Sequence, residues 1–161
     1  AAEYGVEVVR VGNDHLSMME IFRRGDVDFV GGTRGGFIFP GFQMGADAML
    51  ATVKILEMMA KTRSRFGALR DKYSYLERQA VSVPCPWTKK GTVMRELILD
   101  SQDKERQLVD GVRIREESGW VLLAPDREAG AFNIFAETKS KDATAELIAQ
   151  YQGLVEKWQE G

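Results

Sequence analysis

The chain of 161 residues has one cysteine, one histidine and four prolines. A lone thiol, Cys85, cannot close an internal disulfide, so a disulfide scaffold is excluded. That usage suits a reducing compartment, and the cytoplasm is the expected location. His15 has no cysteine or carboxylate cluster at ligand spacing, which argues against a metal centre and leaves it as a surface residue at a helix start. No apolar run reaches the length that spans a bilayer, so no membrane partner is expected. Positive charge is not in excess either: the net charge is -2. No broad positive field is available to hold nucleic acid. The first residues, Ala1-Ala2-Glu3-Tyr4-Gly5, lack a basic segment followed by an apolar one, which excludes a secretory signal in that stretch. They also lack an initiator methionine and run straight into strand-like sequence, so the chain reads as a piece of a longer protein. Internal repeats and low-complexity tracts are absent.

What is present is a sequence with 44% hydrophobic residues, enough for one substantial core or for a small domain plus part of another. Val6 to Val11 is rich in β-branched residues and predicts a strand. Asn13 or Asp14 can cap a helix running to about Arg24, with Leu16, Met18, Met19, Ile21 and Phe22 on one face. Gly25-Asp26 stops it. Val27 to Val30 predicts a short strand leading into Gly31-Gly32-Thr33-Arg34-Gly35-Gly36. Asp47 opens a long helix to about Lys61, whose Met49, Leu50, Val53, Leu56 and Met59 lie at helical spacing. Alternation of strand and helix marks residues 1–62 as an α/β segment. Residues 63–73 are charged and read as a linker with a short helical turn.

From residue 74 to 161 the character changes. Tyr75 to Val83 predicts a strand closed by Pro84-Cys85-Pro86, and Pro86-Trp87-Thr88 opens a helix bearing Val93, Met94, Leu97 and Ile98. Three short strands follow at Val112 to Ile114, Trp120 to Leu123 and Phe132 to Glu137. Ser140 or Asp142 starts a last helix with one apolar stripe of Leu147, Ile148, Tyr151, Leu154, Val155 and Trp158. Strand, helix, three strands, helix predicts a small α+β domain with a mostly antiparallel four-stranded sheet and two helices. Cys85 reads as a partly buried structural thiol, because nothing beside it marks an activating base. Lys89, Lys90 and Arg95 read as a solvated helix face, and the methionines as core packing.

The stretch Trp120-Val121-Leu122-Leu123-Ala124-Pro125-Asp126-Arg127-Glu128-Ala129-Gly130-Ala131-Phe132-Asn133-Ile134-Phe135-Ala136-Glu137 reads as strand, polar turn, strand. It resembles the last signature of the phosphohexomutases (phosphomannomutase and phosphoglucomutase), roughly W-V-L-x-R-P-S-G-T-E-P-x-x-R-x-Y-A-E. Trp120, Val121, Leu122, Pro125, Ala136 and Glu137 match. Ala124, Asp126, Arg127 and Glu128 stand where that family places Arg, Ser, Gly and Thr around a phosphate, and Asn133 stands at its second Arg. Asp110-Gly111-Val112-Arg113-Ile114 resembles a D-G-V-K-I strand entry, and Asp47 matches an Asp at a helix start. Gly31 to Phe37 resembles the family's G-G-E-x-S-G-H sugar loop, keeping Gly31, Gly32 and Gly36 but placing Thr33, Gly35 and Phe37 where Glu, Ser and His are expected.

The resemblance implies that residues 1–62 end a third α/β domain and that 74–161 form a fourth, C-terminal domain. It implies a hexose phosphate ligand, upstream domains of the parent chain as partners, and intramolecular phosphate transfer through a Mg-dependent phosphoserine. Neither the phosphoserine loop nor the acidic metal loop lies in these residues, so no catalytic residue or cofactor is assigned within them. Thr33, Arg34, Gly35 and Arg127 are the expected substrate contacts. Against a phosphate grip, Thr33 offers one oxygen where a carboxylate offers two. Asp126 and Glu128 add negative charge, and a like-charge contact at ~4 Å costs on the order of a few kcal/mol in a surface-like dielectric. The degenerate turn also resembles a subgroup in which a mutase-like region is fused behind a mannose-1-phosphate guanylyltransferase. That resemblance implies a catalytically silent module with a regulatory or assembly role.

Overall fold

A computed structural model describes residues 4–32 and 35–160. The chain divides into two compact units, residues 1–69 and 70–161.

In the first unit, the Asp14 carboxylate accepts the Ser17 N–H at 2.9 Å and the Ser17 hydroxyl at 2.7 Å. This cap starts helix α1, His15–Glu20. The chain then tightens into a 3-10 turn, Ile21–Arg24, closed by Gly25 at φ 77°. Strand β1 (Val30–Gly31) pairs antiparallel with β2 (Phe37–Ile38). Asp47 caps helix α2, Ala48–Thr62, by accepting the Leu50 N–H at 2.8 Å. Only Met18, Val30 and Ile38 form a buried cluster here, flanked by Met19, Ile21 and Val27.

Two expectations fail in this unit for one reason. The strand expected over Val6 to Val11 makes no ladder, and Val6, Val8 and Val9 are exposed. Most of the apolar stripe of α2 is likewise uncovered, with Met49 80%, Val53 58% and Leu56 58% exposed, while Leu50 and Met59 are half-buried. A strand exists by pairing and an amphipathic helix by burial. Among the described residues the unit has only a two-residue ladder, which supplies neither partner. Helix α3, Phe66–Asp71, lies within the charged segment between the expected domains.

The second unit is a two-layer α+β structure. Strands β3 (Glu77–Pro84), β4 (Arg106–Gln107), β5 (Val112–Arg115), β6 (Gly119–Pro125) and β7 (Ala131–Thr138) form one sheet in the order β3-β7-β6-β5-β4. Every pairing is antiparallel. The sheet therefore has five strands where four were expected. The additional strand, β4, is a two-residue edge, too short for alternation to reveal. Helices α4 (Trp87–Asp100) and α5 (Lys141–Glu160) cover one face.

Register explains the core. Val81, Ile134, Leu123 and Val112 form one cross-strand row, and Gln79, Ala136, Val121 and Ile114 another. Their inward side chains meet Val93 and Leu97 of α4 and Leu147, Ile148, Tyr151 and Val155 of α5. Alternation with period two on the strands and the heptad-like stripe on α5 are the same physical fact seen from two layers. The start of α5 is fastened by Thr144, whose buried hydroxyl lies 2.9 Å from the Thr138 hydroxyl and donates toward the Glu77 and Ser140 carbonyls.

Candidate functional site

The β6–β7 turn, where the sequence pointed to phosphate, is held from three sides. The Asp126 N–H donates to the Ala131 carbonyl at 2.9 Å. One Asp126 carboxylate oxygen accepts the N–H groups of Glu128 at 2.8 Å and Ala129 at 2.7 Å. The other oxygen accepts the side-chain amide of Asn133 at 2.8 Å. These donors, the Asn133 amide first and then the two backbone N–H groups, lower the Asp126 carboxyl to about 2. It is an anion at any physiological pH.

Lys90 supports the turn from below. Its ammonium donates to the Asp126 carbonyl at 2.5 Å and the Ala129 carbonyl at 2.6 Å, and it lies 3.4 Å from the centre of the Trp87 ring. The residue is buried, at 8% exposure. The reading of Lys90 as solvated is thus corrected: two carbonyls and an indole face replace its water. Nothing in helical spacing distinguishes it from its neighbour Lys89. The partner carbonyls are 36 and 39 residues away.

The Glu128 and Ala129 N–H groups of the turn face the chain's own carboxylate rather than outward. Arg127, expected to contact substrate, is exposed and pairs with Asp110 at 3.0 Å. Asp110 has φ 58°, and Gly111 follows at φ 144°; a Cβ on Gly111 would fall 2.1 Å from the Leu123 carbonyl oxygen. The Asp110-Gly111 pair therefore answers a close backbone approach to β6.

In the first unit, Gly35 sits at φ 84° and donates its N–H to the Gly32 carbonyl at 3.2 Å. Gly36, at φ 79°, accepts from the Gly32 N–H at 3.2 Å. These two backbone bonds join Gly32 to Gly35 and Gly36. Thr33 and Arg34, the other expected contacts, lie outside the described residues. An open concavity of about 630 Å³ in this unit is lined by Phe22, Val27, Pro40 and Met44, with Arg23 the sole ionisable side chain.

Cys85 is fully buried, and burial raises its thiol above the ordinary value, in keeping with a structural role. Among the described residues no group of three or more His, Cys, Asp or Glu side chains could hold a metal ion. No helix among them is long and apolar enough to cross a membrane. The residues missed by sequence reading are Lys90 and Asn133. Asp at the head of a turn ending in Gly130 did carry a signal, since an Asp side chain readily caps N–H groups two and three residues on.

An α/β segment followed by a two-layer α+β unit is the order of elements that the resemblance to the phosphohexomutases implies. Residues 1–75 match the family of phosphoglucomutase/phosphomannomutase, alpha/beta/alpha domain III. The chain is 26% identical over 149 residues to a phosphoglucosamine mutase of Methanococcus vannielii, covering 91% of this chain and 33% of that protein. It is also 26% identical over 149 residues to a phosphoglucomutase/phosphomannomutase of Thermococcus kodakarensis, covering 92% and 33%. A phosphoglucomutase/phosphomannomutase family protein from Burkholderia thailandensis shares the fold with a TM-score of 0.81 at 18% identity, over 99% of this chain and 34% of that one. Together these matches support reading the chain as a C-terminal part of a phosphohexomutase-superfamily protein. It spans about a third of the length of the curated relatives it matches.

Proposed function

We propose that this region is a mutase-like module that does not grip phosphate at its C-terminal turn and that serves a regulatory or assembly role in its parent. The observation that carries this reading is the Asp126 carboxylate on the Glu128 and Ala129 N–H groups. A phosphate entering there meets a fixed negative charge, and two of the turn's backbone donors are already engaged. Arg127, committed outward to Asp110, does not offset it. In this reading residues 1–62 end a third domain, 63–73 link, and 74–161 form the fourth. The parent is a cytoplasmic fusion in which a mannose-1-phosphate guanylyltransferase precedes the module.

A second reading is favoured by the names of the relatives, phosphoglucosamine mutase and phosphoglucomutase/phosphomannomutase. There the parent moves a phosphate on a hexose phosphate, upstream domains supply a phosphoserine and its Mg, and this region contributes Thr33, Arg34 and Gly35 to the sugar and Arg127 to the phosphate. Among the described residues no group could hold the metal, so their part is binding and orientation.

Calorimetry of the native full-length protein and its Arg127→Ala variant with mannose 1-phosphate separates the two. The silent-turn reading expects no change on substitution. A loss of about 1.5–3 kcal/mol, the worth of a charge-assisted hydrogen bond, overturns it in favour of the phosphate grip. The mass and peptide map of the same protein then show whether a serine loop or a nucleotidyltransferase lies upstream.

A further inference from the structure

We propose that the open edge of β3 pairs with the same edge of a second copy of this chain, antiparallel, about a two-fold axis at Ala80. The proposal goes beyond the reading of the turn and stands whether or not the parent acts on a hexose phosphate.

The two ends of the sheet differ. At one end β4 is two residues long and offers little to pair with. At the other, β3 runs for eight residues, Glu77–Pro84, and pairs only with β7. A long uncovered edge is a template for another strand. Register tells which of its backbone groups are open. Cys85 and Gly130 continue the β3–β7 pairing, and the Cys85 N–H donates to the Gly130 carbonyl at 2.8 Å. In an antiparallel ladder alternate residues bond to the same neighbour. Val83, Val81, Gln79 and Glu77 therefore bond to β7. Ser82, Ala80 and Arg78 turn their N–H and carbonyl groups to the open side, and all three residues are exposed. The Arg78 guanidinium leans back over the sheet, 5.8 Å from the Trp120 ring centre and 5.9 Å from that of Phe135. It does not lie across the edge.

The order of residues selects the occupant. A two-fold contact needs an edge that complements itself. With the axis at Ala80, Arg78 faces Ser82 of the second copy, and Ala80 faces Ala80 of the second copy. Each open N–H then meets an open carbonyl. The neighbouring registers fail. An axis at Arg78 sets the two guanidinium-bearing residues opposite each other, and like charges directly opposite destabilise a strand pair. An axis at Ser82 sets Pro84 opposite Ala80, and proline has no N–H to give. In the Ala80 register the two Arg78 residues stand four positions apart, roughly 14 Å along the strands. The two Glu77 residues, on the other face, stand farther apart still. Pro84 falls opposite Leu76, whose N–H already donates to the Tyr73 carbonyl at 3.3 Å. The ladder thus ends where neither residue needs a backbone partner, and Leu76, 40% exposed, gains an apolar contact. A ladder of this length buries less than a standard interface, so the association is weak and reversible.

The test is sedimentation and amide hydrogen exchange of the native full-length protein from roughly 1 to 300 µM, the range in which a small interface assembles. The expected result is a mass that rises toward twice the monomer's. Exchange should slow with concentration at Arg78, Ala80 and Ser82, and stay unchanged at Gln79, Val81 and Val83. Ala80→Pro removes the central donors without touching the β7 ladder. It should weaken association about tenfold or more, as loss of two hydrogen bonds does. Should that variant fail to fold, Ser82→Lys takes its place. A cation opposite Arg78 should weaken association severalfold, and less so at high salt. The proposal is overturned if the protein stays monomeric over that range, even where the strand of another protein takes the edge. It is equally overturned if a dimer forms while the three amides exchange as in the monomer, or if the folded variant associates as tightly as wild type.

Discussion

Residues 70–161 and residues 1–69 carry comparable hydrophobic patterns, yet only the former bury them. In the second unit, strands with period-two alternation join through four pairings in register, and the stripe of α5 finds the sheet. In the first, Val6, Val8 and Val9 and the Met49, Val53 and Leu56 side chains of α2 are exposed, and three buried residues form the cluster. The pattern states what a segment can bury. Whether it does so depends on surface supplied by other segments, and the family match over residues 1–75 is to an alpha/beta/alpha domain of which the described residues of the first unit show one two-stranded ladder.

The sharpest way to break this contrast is a pair of truncations of equal chemistry. Leu123→Ala, at 0% exposure, should cost about 2–5 kcal/mol in urea unfolding of the second unit, through lost transfer energy and an unfilled cavity. Leu56→Ala on the exposed face of α2 should cost within about 0.5 kcal/mol. Comparable costs at the two sites would show that α2 is packed.

A smaller effect tests the polar interior of the second unit. Tyr151 donates to Glu116 at 2.5 Å, and Lys104 meets both at 3.0 and 3.1 Å. Burial first, then the bond to Glu116, pushes the Tyr151 hydroxyl up to about 12. A raised folded value favours the protonated phenol in the fold. Its contribution is fully present below the unfolded value near 10 and is lost as pH rises toward 12. The two-unit difference corresponds to about 2–3 kcal/mol. Unfolding free energy measured from pH 9 to 12 should fall by that order in wild type. The fall should be weaker in Tyr151→Phe; equal slopes would contradict the assignment.

Lys90→Met should cost about 1–3 kcal/mol in thermal or urea unfolding, because two turn carbonyls lose their donor. Smallest of all, Arg127→Ala should change stability by less than about 0.5 kcal/mol, since an exposed ion pair with Asp110 is screened and mobile. A larger loss would mean that Arg127 organises the turn.

Much of the second unit was legible because alternation, proline closure and the α5 stripe are local signals that tertiary packing then honours. The strand boundaries of β5, β6 and β7 follow them to within two residues, and Asp14 and Asp47 cap the helices as their side-chain chemistry indicates. What was not legible depends on distant partners. Lys90 is buried because its ammonium meets carbonyls on another element. β4 exists because β5 offers an edge. At the turn, composition suggested that Asp126 would repel phosphate. The structure adds that its carboxylate also occupies the donors.

The filled turn is the central claim, and its backbone amides report on it directly. In a titration of the native protein with mannose 1-phosphate followed by amide NMR, the N–H resonances of Glu128 and Ala129 and the side-chain amide of Asn133 should stay where Asp126 holds them. A saturable shift of all three would mean that phosphate displaces the carboxylate and that the turn is a working sugar-phosphate site.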